Sequence, residues 1–417
     1  MNRIYKIVWN RRLARAVVAS ELASSHSRGC RRAATVSRSA AGLQVASPST
    51  GFAASLIAAA VLLAFAPLGH AEVCDVNGVG GAGGSSAVAG GLACGFNNAA
   101  NAVNSSVLGS GNTASGLNSS AIGYANEALG PDSSALGLSN SASGIDSVAV
   151  GRENRASGER GNAVGSANRA LGEESSAFGA ANVAQGSLSS AFGLGNVAEG
   201  EDSSAFGYAN VTETARSSAF GFLNVVSGLE ANALGYDNAA SGDASSAIGH
   251  NNASSGLTSN AIGFDNTAFG GQSSAIGHSN GAFGNFASAL GYFSFAVGEA
   301  ATAVGHANQA SGMHSLAAGA FSGAFADNSI AIGSATDETA GARVEAGATR
   351  GIAMGNNARV GASGVDAIAL GTNSVATGSG SMAMGIGSNS SNTNTVSVGR
   401  FNTASGVGAV TMGNVNT

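Results

Sequence analysis

Eight successive ring side chains recur at a constant interval of 14 residues: Tyr208, Phe222, Tyr236, His250, Phe264, His278, Tyr292 and His306. Side chains of these types can stack, and imidazole can ligate a metal or titrate near neutrality. His250, His278 and His306 lie two intervals apart, which in a stacked structure separates neighbours by about 10 Å. One ion cannot bridge that gap, so a metal site would need the same histidine from several chains. Two readings of the column stand open. It is an exposed stripe that grips a ligand, or it is ring stacking at a turn or subunit contact that stiffens the structure.

The other reactive side chains are few. Cys74 and Cys94 could pair as a disulfide that staples the N-terminal end, or Cys94 could simply fill its place in a repeat. No Asp/Glu/His set has catalytic spacing, and no Ser-His-Asp order or GxGxxG loop after a strand occurs. The cluster Gly80-Gly81-Ala82-Gly83-Gly84 lacks the calcium nonapeptide pattern and reads as a flexible lead-in. These observations predict no cofactor, no metal and no enzyme activity.

What positions the ring column is a strict repeat. A bulky apolar residue followed by glycine returns every 14 residues in 18 consecutive units, from Cys94-Gly95 to Ile332-Gly333. With that apolar residue as position 0, position −1 is nearly always Ala (Ala121, Ala135, Ala149). Position +4 is Asn in 14 successive units, Asn98 to Asn280, and position +8 is usually Gly (Gly116, Gly130, Gly144). Self-similarity at a short fixed period means identical rungs stacked on one another. Punctuation half a repeat apart gives two short strands and two turns per rung, with Gly and Asn suiting the turns through their tolerance of positive φ. The ring column sits at position +2.

Strand alternation places positions 0 and −1 on opposite faces. The bulky residue is expected to fill the coil. The alanine column, held small throughout, is expected to lie against a second copy of the chain. One large side chain per 14 ordered residues is thin burial, which also argues for oligomerisation. Eighteen rungs at the inter-strand spacing make a rod of roughly 85 Å. After Ile332 the register changes: the next marks are Met354, Leu370, Met384, Val398 and Met412. Position −2 turns from polar (Ser106, Ser120, Ser134) to apolar (Ile352, Ile368, Met382, Val396, Val410), which predicts a better-packed C-terminal end.

Charge is partitioned. Residues 1–71 carry nine of the 18 basic residues and one acid, whereas residues 72–417 carry nine Arg, no Lys and 23 acids, a formal net charge of −14. An acidic, lysine-free surface argues against nucleic acid and anionic lipid as partners. The basic start, the apolar run from Gly51 to Ala66 and the small residues of Leu68-Gly69-His70-Ala71 read as a secretory signal that also removes Cys30.

Units such as Ser147-Val148-Ala149-Val150-Gly151 and Ser329-Ile330-Ala331-Ile332-Gly333 resemble the head repeats of trimeric autotransporter adhesins, the YadA-like family. The opening Met1-Asn2-Arg3-Ile4-Tyr5-Lys6-Ile7-Val8-Trp9-Asn10 resembles the extended signal region of those proteins. The resemblance implies an all-β fold, a left-handed parallel β-roll assembled as a homotrimer, displayed on a Gram-negative surface. It implies an adhesin head that attaches to host extracellular matrix or cells, or to other bacteria, with a spacer or biofilm scaffold as the alternative. On the binding reading the ring column meets a matrix protein such as collagen, and replacing Tyr236, Phe264 and Tyr292 with Ser weakens adhesion while the melting temperature barely moves. The expected organisation is 1–71 extended signal peptide, 72–84 Gly-rich lead-in, 85–333 regular repeats, 334–353 insertion loop and 354–417 C-terminal repeats. The chain reads as ending mid-repeat at Thr417, so membrane attachment would require an anchor beyond it.

Overall fold

The computed structural model describes residues 5–10, 15–20, 72–74, 85–88, 90–337 and 339–417. The proposed cleavage segment, the apolar run before it and the glycine cluster at 80–84 lie outside these residues. Contacts divide the chain into two units, Met1–Phe52 and Ala53–Thr417. In the first, strand Tyr5–Asn10 pairs antiparallel with Arg15–Ser20. The second is a parallel β-solenoid with no helix among its described residues.

Each regular rung contributes a five-residue strand and a two-residue strand, for example Ser120–Tyr124 and Glu127–Ala128. Long strands pair only with long strands and short with short, always one repeat apart: Ile122 lies beside Leu136, and Ala128 beside Ala142. Two stacked parallel sheets therefore face each other across the coil. Parallel pairing in perfect register follows from the period, since any slip would misplace every inward side chain.

The interior reverses the expectation for positions 0 and −1. Ala121, Ala149, Ala177 and Ala205 at position −1 are fully buried inside the coil, together with Ala128, Ala156 and Ala184 at position +6. The bulky column points outward instead: Leu108, Phe220, Leu234, Ile276 and Leu290 are exposed, and their neighbours in the column are half-buried. A half-rung of seven residues encloses a narrow interior: Ala, Ser and Asn fill it in most rungs, and its largest aliphatic occupants are Val107, Val226, Val344 and Val360. Position −2 shares the outer face of position 0. The apolar Ile352, Ile368 and Met382 are thus half-buried surface residues and do not improve packing inside the coil.

The turns also differ from the expectation. The left-handed residues are those at +3 and +10, such as Ala125 (φ 53°), Asp132 (φ 56°), Leu188 (φ 59°) and Phe286 (φ 59°). Most are neither Gly nor Asn; the stacked rungs impose the conformation. Glycine is required for other reasons. At +1, Gly207 has φ 120° and a Cβ there would stand 2.0 Å from the carbonyl oxygen of Gly221. At +8, Gly130 has an ordinary φ, but its Cβ would stand 2.0 Å from the carbonyl of Gly144.

Two segment assignments change. The lead-in 72–84 contains strand Glu72–Cys74, which pairs with the strand Leu92–Phe96 and sets Cys74 beside Cys94. The segment 334–353 is not one loop. It contains the short strand Arg343–Val344, which pairs in register with Gly323–Ala324 and again with Arg359–Val360. The extra residues are shared between two enlarged turns, and the stack runs through them unbroken.

Candidate functional site

The ring column is built from below by a buried amide ladder. Asn238 at +4 donates from its Nδ2 to the carbonyl of Leu234 in its own rung (3.2 Å), to Gly249 in the next rung (2.9 Å) and to Oδ1 of Asn224 (2.9 Å). Its backbone N–H also donates to Oδ1 of Asn224 (3.1 Å). The same pattern joins Asn98 through Asn280, all 2% exposed or less. Every amide is satisfied within the protein, as burial of such a group demands. The sequence reading placed these asparagines in turns for their φ; the structure shows their side chains clamping the turn from inside.

Between position 0 and that amide lie only three residues: the glycine at +1, the ring at +2 and the left-handed residue at +3. With both ends of so short a segment tied down, the ring has one place to go. It projects at the edge of the long-strand sheet, and all eight members of the column are exposed. Tyr292 and His306 sit where the ladder thins, above Ser294 and Asn308; Ser294 donates to Gly305 O at 3.2 Å in place of an amide.

The structure brings all eight rings into one unbroken file. Centroids are 4.7 Å apart for Tyr208 and Phe222, 5.0 Å for Phe222 and Tyr236, and 4.7 to 5.2 Å for each pair onward to His306. The first three rings are parallel within 9°. His250 and His278 instead stand edge-on, at 74 to 87°, between the faces of Tyr236, Phe264 and Tyr292. Both geometries suit the quadrupoles of the rings and stiffen the rod. The spacing is one rung, so the file is a ruler of regular surface groups and not a pocket. Among the described residues, no three His, Cys, Asp or Glu side chains converge to hold an ion.

A second aromatic file escaped the sequence reading. Phe178, Phe192, Phe206 and Phe220 at position 0 stack at 4.7 to 4.9 Å within 7° of parallel, on the outer face of the long-strand sheet. Its signal in the sequence is four identical residues in consecutive repeats, which an expectation of position 0 inside the coil conceals.

The YadA head domain repeat, in two-copy units, matches residues 100–126, 114–140, 128–154, 142–168, 184–210, 198–224, 227–252, 270–294, 296–322, 310–336 and 362–388, more than half of the chain. The chain belongs to the YadA head-repeat family. The extended signal peptide of the type V secretion system matches residues 1–50. A comparison with curated proteins gives no match. YadA-like head repeats behind a type V signal mark an autotransporter adhesin-type protein, exported to the cell surface. The matched repeats include the rungs that carry the ring column from Tyr208 to His250 and again from His278 to His306. The column is therefore set on family scaffold, not on an insertion.

Proposed function

We propose that this chain is the head of a homotrimeric adhesin that attaches the cell to extracellular matrix or to other cells by many weak contacts, and that it is not an enzyme. Family membership supplies the number three. The outer face of the long-strand sheet supports the assembly: an apolar stripe of this length is not left in water by a stable monomer.

The observation that carries the binding role is the exposed, rigidly spaced ring file from Tyr208 to His306. Three copies on one rod multiply a weak contact through effective concentration. A spacer or scaffold role is favoured by one feature of the same file: the parallel rings of Tyr208, Phe222 and Tyr236 cover each other's faces and leave only edges free. Solid-phase binding of the exported chain to collagen, fibronectin and laminin separates the two. The triple change Tyr236→Ser, Phe264→Ser, Tyr292→Ser is expected to weaken binding at least about tenfold, while lost stacking costs about 1 kcal/mol per ring pair. Unchanged binding to all three coats, or no binding by the unaltered chain, would reject the contact role and leave the scaffold.

A further inference from the structure

The arginines of residues 72–417 are nearly all neutralised or held within the chain. Of the nine, Arg152, Arg160, Arg216, Arg343 and Arg350 stand in ion pairs with neighbouring carboxylates. Arg359 donates to Asn357 and to the carbonyl of Thr339, and Arg400 lies over the ring of Phe401. Arg155 and Arg169 are the remaining two. Both are exposed, and among the described residues neither guanidinium has a hydrogen bond or an ion pair.

These two side chains belong together. Strand Arg155–Ala156 pairs in parallel with Arg169–Ala170, and Arg155 lies directly beside Arg169. Adjacent strands hold their Cα atoms about 4.8 Å apart. Ala156 and Ala170 are buried inside the coil, so alternation puts both arginines on the outer face of the short-strand sheet. Like charges side by side on a sheet are destabilising. The chain meets the same problem at Arg343 beside Arg359 and answers it internally. There Arg343 pairs with Glu345 and lies over Phe325, while Asn357 and Thr339 hold Arg359. Arg155 and Arg169 have no such answer. The carboxylates near them in sequence are engaged elsewhere: Glu153 with Arg152, and Glu159, Glu173 and Glu174 with Arg160 in the turn after the short strand. Hydroxyls flank the pair, with Ser141 before it in the same column and Ser157 two residues beyond Arg155 on the same face.

We propose that Arg155 and Arg169 form a clip for an external carboxylate, one carried by an acidic sugar of a polysaccharide. A guanidinium fork matches a carboxylate in bidentate fashion, and two forks side by side can hold one group from both flanks. Ser141 and Ser157 offer partners to the hydroxyls of such a sugar. The rest of the rod selects for sparse charge. Its net charge of −14 repels a dense polyanion such as DNA, which carries one charge about every 1.7 Å. A polysaccharide with a carboxylate on every second sugar can seat a single group on the clip with far less repulsion. The proposed trimer covers the position 0 face and leaves the short-strand face outward, so three clips stand at one height and act together.

Retention of the exported chain on immobilised hyaluronan, a polymer of that kind, tests the assignment, with double-stranded DNA as the competing surface. The unaltered chain is expected to be retained on hyaluronan, to be released as salt rises, and to pass over DNA at the same salt. The double change Arg155→Gln, Arg169→Gln is expected to weaken retention at least about tenfold. Arg155→Lys, Arg169→Lys should restore only part of it, because an ammonium keeps the charge without the fork. At low salt the Gln variant should melt no lower than the unaltered chain, since it relieves a like-charge contact. Binding to collagen through the ring file, and the sedimentation mass that reports the trimer, are expected to be the same in every variant. Failure of the proposed adhesin head and failure of the clip are thereby read separately. No retention of the unaltered chain on hyaluronan, retention that ignores the Gln change, or stronger retention on DNA would overturn the assignment. So would a melting temperature lowered by the Gln change, which would give the pair to the fold.

Discussion

The rungs from Asn98 to Asn280 and those after Ile332 close the same coil in different ways. In the first region the +4 slot holds the amide ladder, the long strands have five residues and position −2 is mostly Ser or Asn. In the second, the slot holds Ala342, Ala358, Ser374 and Ser388, and the long strands Ile352–Met354, Ile368–Leu370 and Met382–Met384 have three residues, before Asn402 restores the amide and Val396–Arg400 the five-residue strand. Val344 and Val360, both fully buried, take the interior +6 position that is usually alanine. Position −1 stays inward and, apart from Val107, Ser397 and Thr411, is alanine: Ala331, Ala353, Ala369 and Ala383 are as buried as Ala121. The inward alanine column is thus the constant of the fold, and the amide ladder is one of two ways to fix the first turn. Where the ladder lapses, the outer face becomes more apolar, with Ile352, Ile368 and Met382 at position −2.

The largest expected effect comes from the glycines at +1. Gly207→Ala forces a Cβ to 2.0 Å from a backbone oxygen at a φ of 120°, and is expected to abolish the folded rod, a loss above about 4 kcal/mol. Gly355→Ala meets its nearest atom at 2.8 Å with a similar φ, and should fold with a lowered melting temperature. Equal loss of circular dichroism in both would show that the two regions are equally tight and break the comparison.

Next in size is the ladder. Asn182→Ala leaves the carbonyls of Phe178 and Gly193 and the N–H of Asn196 without partners, which should cost about 3 kcal/mol or more. Ser374→Ala removes one bond to Gly371 O at 2.8 Å and should cost about 1 kcal/mol. Denaturant midpoints for the two variants measure the difference. Comparable losses would mean that the amides are no more important than the hydroxyls that replace them.

The smallest effect is electrostatic and confined to the second region. Arg350 and Asp366 form a two-pronged pair across the enlarged turns, with Arg350 Nη2 donating to Asp366 Oδ2 at 2.8 Å. The hydrogen bonds from Arg350 hold the Asp366 carboxyl below its ordinary value of 3.8. A carboxyl lowered on folding contributes stability that is present above its unfolded value and disappears as the pH falls through the lowered one. Both groups are exposed, so the contribution is small. Asp366→Asn should leave stability at pH 7 almost unchanged and flatten the acid limb below about pH 4 in a pH series of melting curves. A change at neutral pH instead would show that the pair fixes the turn.

Much of this was legible along the chain. The 14-residue interval gave the stacked rungs and their register, because any parallel neighbour must repeat the same side chain at the same height. It also placed Tyr208 through His306 in a single file. The roles of Asn98 through Asn280 were not legible, since an asparagine tolerates a left-handed turn as readily as it forms a buried ladder; only the three-dimensional partners of its amide separate the two. The contacts among Phe283, Phe293 and Phe295 were hidden for another reason: these residues fall at three different repeat positions and become neighbours only when the coil wraps around.

Periodicity alone dictated that residues 0 and −1 look in opposite directions, because successive side chains of a strand alternate. Which of them looks inward was decided by the closed coil. The habit of placing the largest apolar residue inside assumes an interior with room for it, and two sheets joined by turns this short leave space for little more than a methyl group, a hydroxyl or a carboxamide, with valine the largest aliphatic side chain buried there. Alanine therefore went in, and the leucines, isoleucines and phenylalanines were left on the outer face of the sheet.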